Sequence, residues 1–188
     1  MREFDKIRKK ILSKEKGTIT KCSYQLRIAL GFPNKYEVGI ANLGFQSIYR
    51  ILNQIEGVSC ERFFLSFGSV SGFDYRSQDK VRTLESGDPL NFFQIISFST
   101  PFELDYLNIL KILKQAKIPL LRKERNENHP LLLAGGTAVT LNPEVMALFF
   151  DAIFIGEAEE GIKEITQIFL KASEKEYHRK KLSLELSK

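Results

Sequence analysis

The sequence predicts an α/β fold, a mostly parallel five-stranded sheet in the order 2-1-3-4-5 with helices on both faces. Two observations lead there. Along 188 residues, five apolar runs of strand length alternate with segments of helical period, and such alternation builds parallel sheets through strand–helix–strand crossovers. The run Phe92 to Ser99 is apolar on both faces of a strand pattern, as a central parallel strand covered on each side requires. Five strands connected this way suit a three-layer αβα sandwich of Rossmann or flavodoxin-like type.

Residues 4–16 place Phe4, Ile7 or Ile11, and Leu12 on one face of a loosely packed amphipathic helix that ends at Gly17. The first strand is expected over Gln25 to Phe32, breaking at Pro33-Asn34. One helix follows from about Gly39 to Gln54, with Ile40, Leu43, Ile48, Ile51 and Leu52 recurring at three- and four-residue steps. Val58 to Leu65 is the second strand. Residues 66–91 are rich in Gly and Ser and show no period, so a functional or disordered loop is expected, with a short extra strand at Val81 to Leu84. After the third strand, Thr100-Pro101 opens a helix over Phe102 to Lys117, with Thr100 as its cap. Pro130 to Ala134 is the fourth strand, and Asn142-Pro143 starts a short helix. Asp151 to Ile155 is the fifth strand. In the last helix Ala158, Ile162, Ile165 and Phe169 form an apolar stripe, and Glu157, Glu159 and Glu160 complement the dipole of its first turn.

The net charge of +5 is concentrated at the ends. Residues 1–21 hold eight Lys/Arg against three Asp/Glu, and residues 171–188 hold six against three, so the body is mildly acidic. Three units follow: a basic helical extension over 1–21, an α/β domain over 22–172, and a charged tail or linker over 173–188. Basic ends can touch nucleic acid or an acidic partner, but such charge runs more often form a solvated surface. No apolar run approaches the roughly 20 residues of a membrane span, and the N-terminus lacks the apolar middle of a secretory signal. A cytoplasmic location without membrane contact is expected. Cys22 and Cys60, with His129 and His178, form no metal-binding spacing.

In the order 2-1-3-4-5 the C-terminal ends of strands one, three and four lie side by side, and ligands of open α/β sheets bind there. Those ends carry Asn34, Tyr36, Glu37 and Gly39, then Ser97, Ser99 and Thr100, then Gly135, Gly136 and Thr137. Glycines let a ligand approach the backbone, and hydroxyls give it donors and acceptors. Gly156 and Glu157 join the set at the fifth strand. No nucleophile with a base, no phosphate-binding glycine loop and no dinucleotide fingerprint is present. The residues describe a binding domain and name no catalytic group.

Several segments together resemble a known family. They are Phe32-Pro33 with Tyr36-Glu37-Val38-Gly39, Asn42-Leu43-Gly44, Glu61-Arg62-Phe63, Gly135-Gly136 with Asn142-Pro143-Glu144, and Ile155-Gly156-Glu157-Ala158-Glu159. In this order they resemble the N-terminal, cobalamin-binding-like domain of radical S-adenosylmethionine proteins. The resemblance implies a ligand- or substrate-binding cap on a catalytic barrel, in cis or in trans. That barrel would carry a [4Fe–4S] cluster on CxxxCxxC and cleave S-adenosylmethionine. This chain has no such motif, and two cysteines cannot supply the three thiolates, so a domain of a longer protein or a stand-alone relative is expected. The resemblance also implies a cobalt-ligating histidine where this chain has Tyr36, and a phenol with a pKa of roughly 10 is a poor ligand near pH 7. Two alternatives stay open: cobalamin held past Ser97, Ser99 and Gly135 without a protein ligand, or a cofactor lost and the fold kept as a substrate- or partner-binding cap. A stand-alone Rossmann-like module binding another small ligand or a protein or RNA partner, without cobalamin, is the competing reading, with loop 66–91 as lid or docking surface.

Overall fold

The computed structural model describes residues 3–67 and 80–174. It contains one five-stranded sheet. β1 (Leu26–Lys35) pairs in parallel with β2 (Val58–Ser66) and β3 (Ile95–Ser99), and β4 (Leu131–Gly135) pairs in parallel with β3 and β5 (Ala152–Ile153). The order is β2-β1-β3-β4-β5, as the alternating pattern predicts.

Pleating assigns the faces. One face carries Phe63 and Phe98, which stack edge-to-face with each other, and Phe98 does the same with Phe150. Gly31 makes room there, because a Cβ would lie 2.1 Å from the Phe63 ring. The helix after β3, α4 (Tyr106–Ala116), buries Ile109, Ile112 and Leu113. The opposite face carries Leu30 and Phe32, and Phe32 meets Phe45 of α3 (Leu43–Gln54). The last helix, α6 (Ala158–Glu174), packs beside α3.

Local chemistry moves several boundaries. The Pro33-Asn34 break is absent, since β1 runs on to Lys35 with a register irregularity after Phe32. Tolerance of proline at such a bulge is usual. The single helix expected from Gly39 is two: α2 (Tyr36–Ile40) and α3, divided at Asn42. The Asn42 side chain accepts the Phe45 N–H as an N-cap. Leu43, now in the first turn, is 82% exposed instead of facing the core.

The expected helix at Asn142-Pro143 is a run of turns closed by i to i+3 bonds, such as Met146 N–H to the Pro143 carbonyl. The helix comes earlier, as α5 (Thr137–Leu141). Thr100 caps nothing: a 3-10 turn over Glu103–Asp105 precedes α4, and Thr100 is fully buried. Val81 to Leu84 forms no strand of its own; Arg82 makes an isolated antiparallel bridge with Pro89, while the Leu84 N–H donates to the Arg62 carbonyl on β2. The rest of the expected functional loop, residues 68–79, lies outside the described residues, as does the tail from residue 175.

The N-terminal helix α1 (Glu3–Leu12) is built into the core, not loosely attached. Phe4, Ile7 and Ile11 are buried, and Phe4 contacts the Phe67 ring. No helix among the described residues is long and apolar enough to cross a membrane.

Candidate functional site

A cleft of about 680 Å3 lies on the α3/α6 face of the sheet. Its floor is one register row: Leu30 on β1, Ser97 on β3, Leu133 on β4 and Ala152 on β5. Short Ser97 and Ala152 leave the space that larger side chains would fill. The next row toward the strand ends is Ser99, Gly135 and Phe154. Ile48 of α3 and Ile162 and Ile165 of α6 form the walls. A volume of this size suits a drug-sized molecule, which needs roughly 300–1,000 Å3.

Each end of the cleft has a local cause. Gly136 turns the chain at φ +110°, and there its would-be Cβ lies 2.8 Å from the Thr100 carbonyl oxygen. This close crossing lets Thr100 donate its N–H to the Gly135 carbonyl and accept the Ala138 N–H. Gly156, at φ +102°, donates to Thr140 Oγ1 and ties the start of α6 to α5. The Ser97, Ser99 and Thr137 hydroxyls face this space with no hydrogen-bond partner among the described residues.

The sequence-selected residues therefore divide. Ser97, Ser99, Gly135, Gly136, Thr137, Gly156 and Glu157 come together around the cleft. Thr100 stands behind Gly136 and contributes backbone bonds. Asn34, Tyr36, Glu37 and Gly39 are placed elsewhere. Asn34 donates to Asp105 at 2.9 Å, and Asn108 donates to the same oxygen. Burial pushes the Asp105 carboxyl up, against the pull of these two donors. Glu37 sits half-buried in α2. Gly39 is a packing glycine, since a Cβ would lie 2.6 Å from the Phe64 ring. Tyr36 packs edge-to-face on Phe64, and its hydroxyl donates to Glu15. Burial, then the Glu15 charge and hydrogen bond, hold the phenol above its ordinary range.

A buried ionic network beside Tyr36 had no local signature. Arg62, 2% exposed, pairs with Glu15 and Glu85 at 2.6 Å each and lies over the Tyr49 ring. Its partners are separated by tens of residues, so no spacing pattern reveals them. The cleft walls were also missed, because Ile48, Ile162 and Ile165 read as ordinary core positions. The small residues Ser97 and Ser99, both on one face of an otherwise bulky strand, were the available signal.

Tyr36 does not fit a cobalt ligand, being neutral and occupied by Glu15. The cysteines do not fit an iron–sulfur cluster. Cys22 is exposed, while Cys60 is buried in β2, and burial pushes its thiol well up. No group of three metal-binding side chains occurs among the described residues.

Comparison with known proteins adds two findings. The family model described as "Radical SAM proteins, N-terminal" matches residues 44–188. An uncharacterised protein of Methanocaldococcus jannaschii is 28% identical over 132 residues, covering 70% of this chain and 24% of the relative. The chain thus spans about a quarter of that relative's length. No solved structure matches.

Proposed function

This chain belongs to the radical SAM N-terminal domain family, and from that premise we propose that it is a non-catalytic ligand- or substrate-binding domain that caps a catalytic iron–sulfur barrel. The barrel is supplied in cis or in trans. The observation that carries this reading is the cleft: apolar walls, three hydroxyls without a hydrogen-bond partner among the described residues, and no thiol or imidazole among its described lining residues. A concave apolar site with a few convergent polar groups is built to hold a molecule.

The cap role is supported by the edge where the strands end. Leu43, Leu104, Leu141 and Ile155 follow β1, β3, β4 and β5 respectively, and all are exposed. Large apolar residues gathered at one edge mark an interaction surface. The catalytic domain is the occupant this family provides. The nucleic-acid reading draws less support from the N-terminus, because Arg8 donates to the Leu84 and Glu85 carbonyls and Lys21 to those of Ile55 and Val58.

Within this reading, cobalamin binds only without a protein ligand on cobalt, and the cleft otherwise serves a different small molecule. Gel filtration of the purified chain with hydroxocobalamin tests this. The expected result is that any co-eluting corrinoid has a visible spectrum unchanged by Tyr36→Phe and is released by Ser97→Phe. A spectrum that depends on Tyr36 overturns the assignment. No retention at all removes cobalamin and leaves the cleft to another ligand.

A further inference from the structure

The charges around the cleft narrow what it can hold. Resting on the ligand-binding reading above, we infer that the cleft takes an uncharged or cationic heteroaromatic compound and disfavours anions.

No Lys, Arg or His lines the cleft among the described residues, while Glu157 and Glu159 stand at its mouth. The N-terminus of α6 also opens here, and its free N–H groups would by themselves attract an anion. The glutamates beside that helix end already complement its dipole. A phosphate or carboxylate entering the mouth meets two carboxylates and no lining cation among the described residues to offset them. A cation meets the reverse.

The interior selects for a ring. The Leu30–Ser97–Leu133–Ala152 row gives a mainly apolar floor in which two leucines alternate with two short side chains and leave a slot between them. Phe154 packs against Gly161 of α6, where a Cβ would lie 2.7 Å from the ring, and it contributes an aromatic side chain to the cleft wall. Aromatic faces and aliphatic walls favour flat, polarizable ligands. Ser97 and Ser99 hydroxyls, each able to donate and accept, are placed to read the hydrogen-bonding edge of such a ring. A purely aliphatic ligand would leave them unpaired, which costs binding.

Adenosine and adenosine monophosphate are suitable probes, because they share the ring and ribose and differ by one phosphate. Titration of the whole 188-residue chain by calorimetry or ligand-observed NMR is expected to show adenosine binding and the monophosphate about five- to tenfold weaker. Glu157→Gln with Glu159→Gln is expected to narrow that gap. Both carboxylates are exposed, so the double variant should keep its fold. Monophosphate binding as tight as adenosine, or a gap untouched by the double variant, overturns the inference. So does the binding of neither probe, with the cleft itself then judged by the corrinoid experiment. Loss of binding in Ser97→Phe, or in Ile165→Trp should the first variant misfold, assigns the signal to the cleft. Adenosine binding that survives both plugs places the ligand elsewhere and overturns the inference, with the cleft itself again judged by the corrinoid experiment.

Discussion

At Gly136 the backbone permits one residue type. The positive φ of +110° strains any L side chain, and the space is closed by the Thr100 backbone on the nearest side. Gly136→Ala is expected to destabilise the fold by about 2 kcal/mol or more and to weaken cleft binding, measured by denaturant unfolding and ligand titration. A neutral substitution would show that the Thr100 crossing relaxes easily. Tyr36 gives the opposite contrast. Tyr36→Phe removes one hydrogen bond to Glu15 and is expected to cost about 1 kcal/mol while leaving cleft affinity unchanged. A large affinity loss with little change in melting temperature would reverse its placement as a packing residue.

The elements owe their positions to interactions of different reach, and this decides what the sequence reveals. Strand runs and the α6 stripe are local patterns, so the sheet order and the cleft residues Ser97, Ser99 and Gly135 were legible. The α2/α3 division depends on one capping side chain, Asn42, inside a continuous apolar period, and the period hid it. α5 is five residues long and too short to show a period. The network that fastens the N-terminal segment and residues 80–90 against edge strand β2 joins Glu15, Arg62 and Glu85, which no local pattern connects. Arg62→Met, which strands buried carboxylates, is expected to cost about 3–5 kcal/mol.

The pH dependence of that network has a defined sign. For Glu15, burial alone would raise the carboxyl, but the Arg62 hydrogen bond and charge, with Thr18 and Tyr36 as further donors, outweigh it and the net shift is downward from 4.5. A lowered folded-state value means that stability is present above about pH 4.5 and is lost as pH falls through the folded value. Glu85 is shifted upward from 4.5 by burial, despite Arg62, so its contribution declines as pH rises above 4.5. The stability difference between the parent chain and Glu15→Gln should therefore be constant at neutral pH and shrink in acid. A difference that grows below pH 4 in urea unfolding would contradict the assignment.

Across the whole molecule, one edge of the sheet carries both the cleft mouth and the exposed apolar side chains. This follows from topology, since every crossover leaves a strand at its C-terminal end and returns on a face. Leu104, 90% exposed, and Leu141, 75% exposed, make little use of the domain's own core. Burial of such side chains against a partner contributes roughly 1.5–3 kcal/mol each. Leu104→Glu with Leu141→Glu should therefore leave the unfolding free energy and probe affinity of the isolated chain unchanged within about 0.5 kcal/mol. In a polypeptide carrying the radical SAM barrel, the same pair should loosen the cap. Hydrogen exchange at residues 102–107 and 137–142 would rise to the level of the isolated chain. Unchanged protection in the variant would mean that the barrel docks on another surface, while a drop in the isolated chain's own stability would mean that these leucines serve the domain's fold instead.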